Sequence, residues 1–466
     1  MRKSGTGSEV RGTRKSGSEA KGLSGAKGFV KGRPSAAGPT LSVAEARAKV
    51  TPARLAAFEI LMRVGQGKGH SDELLHSGLT EGLSAEDRNL ATALVMGVLR
   101  WQIALDARVR GLLQRPEQRL AEPVAVALRM GAFQLLHMDR IPAHAALSES
   151  VELCRAAGEP HATGMVNAVL RKVAAAQKPG GRIHESVAAF AERLGHPLWL
   201  VERWVAAYGR DAALKICEAD QQEHGEGEMF VEAAVAGDAL PVMDDGSRLV
   251  AEIAAAALPA GLDHVARVWD CCAAPGGKTL VMAARMPEAE ILATDVSAKR
   301  LAQMQARMRR HAYAERVKCA VVDAAEEKNV RGEFDLILCD VPCSGTGTLA
   351  GNPEIRHVLK VEELKRQAER QRRILKGALA RLSAGGRLVY STCSLEAEEC
   401  DQVVEAVVAE GGVRRVAVDG LIAGLAEAGI LKSGVELGSV VRDGALRTLP
   451  GVHGCDGFFA VVLERE

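Results

Sequence analysis

The chain has 466 residues, 47% of them hydrophobic, and a formal net charge of +1. That length holds two or three domains with sizeable cores, and the near-neutral balance excludes a global basic field. No apolar run reaches the roughly 18 residues that span a bilayer, the N-terminus lacks a secretory apolar stretch, and ten cysteines in so long a chain are not a disulfide framework. A cytoplasmic protein with reduced thiols and no membrane partner is therefore expected.

The first forty residues carry Arg2, Lys3, Arg11, Arg14, Lys15, Lys21, Lys27, Lys31 and Arg33 against Glu9 and Glu19, with glycine and serine between. Residues 1–48 read as a disordered basic tail, because such a stretch buries no apolar surface. It suits electrostatic contact with RNA or plain solubility. Residues 49–178 read as an all-helical domain. Leu55, Phe58, Ile60, Leu61 and Val64 recur at helical spacing, as do Leu94, Val95, Val98, Leu99 and Trp101, then Val126, Leu128, Phe133, Leu135 and Leu136. Leu147, Val151, Leu153, Val166, Val169 and Leu170 add two more helices, and Pro142 marks a helix start.

Over residues 179–236 the pattern loosens into a helical connector around Trp199, Leu200, Trp204 and Tyr208. Residues 237–466 alternate strand and helix. Strands are expected over 265–269, 289–293, 317–322, 334–339 and 387–391, with helices over 278–285, 297–310 and 364–382. Segments 446–449 and 458–463 read as a terminal hairpin at the sheet edge. The fold class is thus α/β, a Rossmann-like doubly wound sheet preceded by an all-helical domain.

The loop after the first strand is Cys272-Ala273-Ala274-Pro275-Gly276-Gly277-Lys278. Its glycines permit close backbone approach at a helix N-terminus, and Lys278 offers a charge to a carboxylate or phosphate. A Walker loop requires glycine where Cys272 stands, and GxGxxG is missing. Asp295, Asp323 and Asp340 end three consecutive strands. Carboxylates there accept ribose hydroxyls and an adenine amine. S-adenosylmethionine fits such a site, since it offers ribose, adenine and an amino-acid end without phosphate. A zinc site is not expected, because paired CxxC ligands are lacking.

Two cysteines stand in further strand-end loops, Cys343 in Asp340-Val-Pro-Cys-Ser-Gly and Cys393 in Tyr390-Ser-Thr-Cys-Ser. Cys154, Cys217, Cys319 and Cys339 read instead as small buried hydrophobes, and Cys271 and Cys272 as packing at the turn. A thiolate adding to carbon 6 of cytosine makes carbon 5 a nucleophile toward a methyl sulfonium, and a second group then removes the carbon 5 proton. Asp340 suits a hydrogen bond to the pyrimidine edge. Spacing alone leaves open which thiol attacks.

The cofactor loop, Asp340-Val-Pro-Cys343-Ser-Gly, Tyr390-Ser-Thr-Cys393-Ser, Asn352-Pro-Glu-Ile-Arg356 and Asp456-Gly-Phe-Phe459 together resemble the Sun-type RNA cytosine-carbon-5 methyltransferases. The helical part is similar to the NusB-like RNA-binding domain of the bacterial small-subunit member, over Asp87–Ala91, Gly97–Arg100, Leu128–Leu136, Arg140–Ala145 and Val166–Arg171. The resemblance implies a cytosine of 16S ribosomal RNA as target, free or in an assembling small subunit. It implies Cys393 as nucleophile, Cys343 as the group assisting proton removal and release, and Asp295, Asp323 and Asp340 along the cofactor and base pocket. The sequence departs from the family pattern at Met243-Asp244, at Glu399-Cys400 and at His357, and the segment 219–242 is short. Two other readings stay open here, a non-catalytic RNA-binding assembly factor and the same chemistry on transfer RNA.

Overall fold

The computed structural model describes residues 42–466, apart from 177–184, 224, 226, 232, 233, 236, 237, 327, 329, 436 and 437. Most of the expected basic tail lies outside the described residues. Its end does not. Ser42 caps a short helix α1 (Val43–Arg47) in a capping box with Glu45, and Ala46 is buried. The helical domain therefore begins inside the stretch that charge alone assigned to the tail.

Helices α2 (Pro52–Gly65), α3 (Ser71–Leu75), α4 (Ala85–Arg110), α5 (Glu122–His137), α6 (Ala143–Ala156) and α7 (Thr163–Ala175) complete that domain. Pro52 opens α2 at its first turn, the Ser84 hydroxyl accepts from Asp87 N at 3.0 Å, and Pro142 precedes α6, as helix starts favour. Ile60, Leu94, Val98, Leu128, Phe133 and Leu170 share one core. Helix α4 is long and apolar enough to cross a membrane by length and composition, yet Leu94, Val95, Val98, Leu99 and Leu105 are buried in the bundle. A Cβ on Gly97 would fall 1.9 Å from the Phe133 ring, so only glycine lets α4 and α5 approach this closely.

The connector is more than a link. Helices α8 (Val187–Arg193), α9 (Leu198–Tyr208) and α10 (Arg210–Ala219) bury Phe190, Leu200, Trp204 and Ile216 in a core shared with Leu349, Leu395 and Leu449 of the next domain. A two-stranded ribbon follows, β1 (Ala234–Val235) with β2 (Asp238–Ala239), then helix α11 (Asp245–Ala256), capped by Asp244.

The sheet begins with β3 (Arg267–Asp270), α12 (Gly277–Arg285), β4 (Glu290–Asp295), α13 (Ala298–Met308), β5 (Val317–Val321) and β6 (Phe334–Asp340). It continues through α14 (Ile355–Val358), α15 (Val361–Leu379), β7 (Leu382–Thr392), α16 (Asp401–Val408), β8 (Val413–Val416) and α17 (Asp419–Glu427). It ends with β9 (Val441–Arg442), β10 (Ala445–Arg447) and β11 (Phe459–Arg465). Strand order is β5-β4-β3-β6-β7-β11-β10-β9, with β8 also on β11. The first five run parallel, and β11 is antiparallel to β7. The expected hairpin of β10 and β11 forms, but β11 is no edge strand. It pairs with β7 on one side and with β10 and β8 on the other, which accounts for its unbroken apolar run Phe459–Leu463. Likewise Leu336 and Leu338 of β6 face one core while Ile337 and Cys339 face the other.

Chain order reverses between β3 and β6. A crevice opens at such a reversal, beyond the carboxyl ends of the strands.

Asn352–Arg356 ties the layers together. Buried Arg356 donates from Nη1 to Arg100 O (3.0 Å) and Gly195 O (3.3 Å), and from Nη2 to Asp220 O and Leu349 O (both 3.3 Å). Arg100 donates in return to Ala350 O at 2.9 and 3.1 Å, Ser71 Oγ donates to Glu354 at 2.8 Å, and His357 Nε2 meets Leu99 O at 2.7 Å. One motif thereby joins helical domain, connector and sheet.

Candidate active site

At the end of β3, Asp270 is buried and accepts from Thr279 Oγ1 at 2.6 Å. Burial pushes its carboxyl up to about 7, with Asp340 adding and Thr279 and Lys278 opposing. The turn that follows has a cis Ala274–Pro275 peptide and Gly276 at φ 101°. A Cβ on Gly276 would lie 2.7 Å from Met304 Cγ, so both the left-handed backbone and the contact require glycine. Ala273 N donates to Thr294 O at 2.8 Å, which fixes the turn to β4.

Asp295, at the end of β4, is nearly buried. Its Oδ1 accepts from Ser297 N at 2.8 Å, and its Oδ2 lies 3.5 Å from Arg300 Nη1. Arg300 also donates to Ala274 O at 2.6 Å; it joins two walls of the site, and no sequence motif singled it out. Asp323, beyond β5, is exposed and accepts from Ala325 N at 3.0 Å. Asp340 ends β6, where Ser391 Oγ donates to Oδ1 at 2.7 Å and Lys278 Nζ sits 2.8 Å from Oδ2. Lys278 therefore does not present a free charge to a ligand, as the sequence suggested. It neutralises Asp340 and lies 5.0 Å above the Phe458 ring. Although burial works against its charge, Asp340 raises the Lys278 ammonium above its usual range.

One cavity of about 270 Å³ collects Cys272, Ala274, Pro275, Asp295, Asp323, Asp340, Cys343 and Cys393. Ala273, Gly276, Gly277 and Lys278 line a second cavity, about 340 Å³, which shares Cys272, Ala274, Pro275 and Asp340 with the first.

The two thiols that the sequence placed in separate loops meet, Cys343 Sγ lying 3.3 Å from Cys393 Sγ. The hydrogen bond with Cys343, burial and the neighbouring Asp340 carboxylate push the Cys393 thiol well above the ordinary thiol range, and only Lys278 pulls the other way. All ten cysteines are free. Cys154, Cys217 and Cys339 are buried, as expected of packing residues, and Cys319 is half-buried. Cys400, fully buried, donates its thiol to Ser394 O at 3.3 Å.

Glu399 was visible in the sequence only as part of a departure from a pattern. It holds the two thiol loops together. Its buried carboxylate accepts from Ser344 N at 2.9 Å, from the Ser344 hydroxyl, from Ser394 Oγ at 2.6 Å and from Gln371 Nε2 at 2.9 Å. No local pattern announces such a role, because its four donors come from three segments far apart in the chain. The connector buttresses the same loop, with Tyr208 OH on Leu395 O (2.5 Å) and Trp204 Nε1 on Glu396 Oε1 (3.0 Å).

A parallel sheet whose reversal point carries three strand-end carboxylates beside a glycine turn, on a cavity shared with two thiols, defines an S-adenosylmethionine-dependent methyltransferase. The donor set suits adenosine and an amino-acid end, because carboxylates accept from hydroxyls and amines, whereas Arg300, which with Arg370 lines the cavity, is already engaged by Asp295 and Ala274 O.

The 16S rRNA methyltransferase RsmB/F family model matches residues 261–464, and the NusB family model matches residues 51–175. The chain is 30% identical to the probable ribosomal RNA small subunit methyltransferase B of Bacillus subtilis, covering 90% of this chain and all of that one. It is 32% identical to the ribosomal RNA small subunit methyltransferase B of Xanthomonas campestris pv. campestris, over 91% of this chain and 99% of the relative. The solved structure of PH0851 superposes with a TM-score of 0.65 at 20% identity, over 89% of this chain and 99% of that one, a likeness of fold. The chain belongs to the RsmB/F family of ribosomal RNA methyltransferases, with a NusB-type helical domain ahead of the methyltransferase sheet.

Proposed function

We propose that this chain methylates carbon 5 of a cytosine in 16S ribosomal RNA, with Cys393 as the attacking thiol, in the cytoplasm. The observation that carries the reading is the 3.3 Å separation of Cys343 and Cys393 on the cavity that also holds Asp295, Asp323 and Asp340. Asp295 and Asp323 hold the ribose and adenine of S-adenosylmethionine, and the turn Cys272–Lys278 supports it. The cofactor supplies an electrophilic methyl group.

The protein's own groups do the rest. Cys393 passes its proton to solvent and bonds to carbon 6, and the carbon 5–carbon 6 π pair shifts onto carbon 5 with its charge delocalised through carbon 4 toward N3. Asp340 faces that edge; its two oxygens already accept from Ser391 and Lys278, and a carboxylate has lone pairs left for a base amine. Once carbon 5 carries the methyl group, Cys343 assists removal of the carbon 5 proton. The carbon 6–sulfur bond then breaks and the ring regains its double bond. The base must leave its stack to reach the sulfurs, so an unpaired or loop cytosine is the substrate. Residues 237–466 carry the chemistry, and residues 49–178 hold the RNA.

The test is a pair of variants incubated with unmodified 16S RNA and the methyl donor. Cys393→Ala should transfer no methyl group and form no protein–RNA adduct. Cys343→Ala should accumulate a denaturation-resistant adduct through Cys393. An adduct formed by Cys393→Ala and absent from Cys343→Ala would reverse the two roles.

A further inference from the structure

Helix α13 has a one-sided charge. From Val296 to Ala314 there is no Asp or Glu, while Lys299, Arg300, Arg307, Arg309 and Arg310 all occur. Leu301, Met304 and Met308 form the buried face, and the cations stand off it. The first two are engaged. Lys299 Nζ lies 3.0 Å from Glu73 of the helical domain, and Arg300 pairs with Asp295. Arg307, Arg309 and Arg310 are exposed, and among the described residues no ion pair or side-chain hydrogen bond engages them.

Two of these three reach the site. Arg307, Arg310 and His311 line the 340 Å³ cavity together with Met243, Asp270, Asp340 and the Gly276–Lys278 turn. The cavity with the three acids lies across the same turn. Asp340 is common to both chambers; Asp295 and Asp323 lie on the first alone, beside Arg300 and Arg370, whereas Arg307 and Arg310 lie on the second alone, beside Asp270. A cationic wall repels a sulfonium and attracts a phosphate. A single cation would answer the partial negative charge at a helix C-terminus; three unpaired arginines within four residues exceed that need. The helix starts beside the thiol cavity, where Arg300 bonds Ala274 O and Lys299 meets Glu73 of the helical domain, and its end lines the neighbouring cavity.

We propose that Arg307 and Arg310, with Arg309 and His311 beside them, form a phosphate-binding rail for the RNA strand that delivers the target nucleotide to the site. The inference rests on the proposed reading of RNA as substrate and adds the surface that holds the strand next to the chemistry.

The experiment uses the full chain and unmodified 16S RNA, with binding measured over a series of potassium chloride concentrations. For the double charge reversal Arg307→Glu/Arg310→Glu, the slope of log affinity against log salt should become shallower by about 1.4, because each single-strand phosphate that the protein neutralises contributes about 0.7. The KM for RNA should rise at least tenfold, with kcat at saturating RNA falling far less, and the affinity for S-adenosylhomocysteine should match the wild type. Arg442→Glu is the control, since β9 lies at the opposite edge of the sheet from β5; its slope should equal the wild type's. An unchanged slope in the double variant would overturn the rail, as would an equal change from Arg442→Glu, or a parallel loss of S-adenosylhomocysteine binding. A wild-type protein that shows the arginine-dependent slope but transfers no methyl group would leave the rail standing and sink the cytosine chemistry instead.

Discussion

Glu399 and Ser344 are bonded twice, Ser344 giving both its backbone N–H at 2.9 Å and its hydroxyl to one buried carboxylate. Ser344 follows Cys343, and Ser394, which donates to the same carboxylate at 2.6 Å, follows Cys393. Glu399 thus fixes the spacing of the two sulfurs without touching either, which makes it a positioning residue. Glu399→Gln keeps the shape and loses acceptor capacity for two donors. Hydrogen bonds to charged groups contribute about 1.5–3 kcal/mol each, so kcat should fall about 10- to 100-fold with little change in the KM for RNA. The distinguishing readout is the rate at which diamide cross-links Cys343 to Cys393. A merely structural Glu399 would lower Tm and leave that rate alone, whereas a positioning Glu399 requires it to change.

Cys393 rests as a thiol. Its bond to Cys343, its burial and Asp340 raise it, while Lys278 lowers it. In the ligand-free protein, alkylation of Cys393 by iodoacetamide should be slow at neutral pH and should still be climbing above the roughly 8.5 of a free thiol. Lys278→Met should slow it further and Asp340→Asn should speed it. Peptide mapping by mass spectrometry reads the rate at this one cysteine, and a plateau reached below pH 8 would contradict the electrostatics described.

Much of this was legible in the sequence because the signals are local. The acids at residues 295, 323 and 340 follow apolar runs, and the glycine turn follows another, so pattern and strand end coincide. The sequence placed Cys343 and Cys393 in strand-end loops of one sheet; their meeting rests on the pairing of β6 with β7, where Asp340 registers with Ser391. What escaped was long-range. Arg300, Glu399 and the donors from Tyr208 and Trp204 act through partners brought together only by folding. The interior position of β11 escaped for the same reason, since its partner β8 is distant in the chain and was not foreseen. Helices α11 and α17 escaped because their alanine-rich faces give weak periodicity.

His357 stands in the seam between the helical domain and the sheet. Burial lowers its imidazole to about 4, so it is neutral and donates through Nε2 to Leu99 O. A depressed folded pKa means the contribution is complete above the ordinary histidine value of about 6.5 and is lost as pH falls toward 4. His196, also lowered chiefly by burial, acts in the same direction. His357→Gln keeps a donor for Leu99 O and cannot take up a proton. Between pH 7 and pH 5 the wild type should lose several degrees of Tm relative to this variant. Parallel curves would show that the seam does not titrate.

Asp270 has the opposite sign. Its carboxyl, raised by burial from an ordinary value near 3.8 to about 7, binds a proton more tightly in the folded chain than in the unfolded one. Its stabilising share is therefore complete below about 4 and is lost as pH rises through 7. One oxygen has the Thr279 hydroxyl, while the other is buried with no hydrogen-bond partner; that unmet charge is what the folded protein disfavours at neutral pH. Asp270→Asn keeps an acceptor for Thr279 and removes the ionisation. Near pH 5 the variant and the wild type should melt within about two degrees of each other. At pH 8 the variant should be more stable, by an amount on the order of a few kcal/mol from a shift of this size. Melting curves across pH 5–8 measure the difference directly. A Tm gap that stays constant over that range would mean Asp270 is ionised throughout, and that Lys278 and the start of α12 solvate it better than its burial implies.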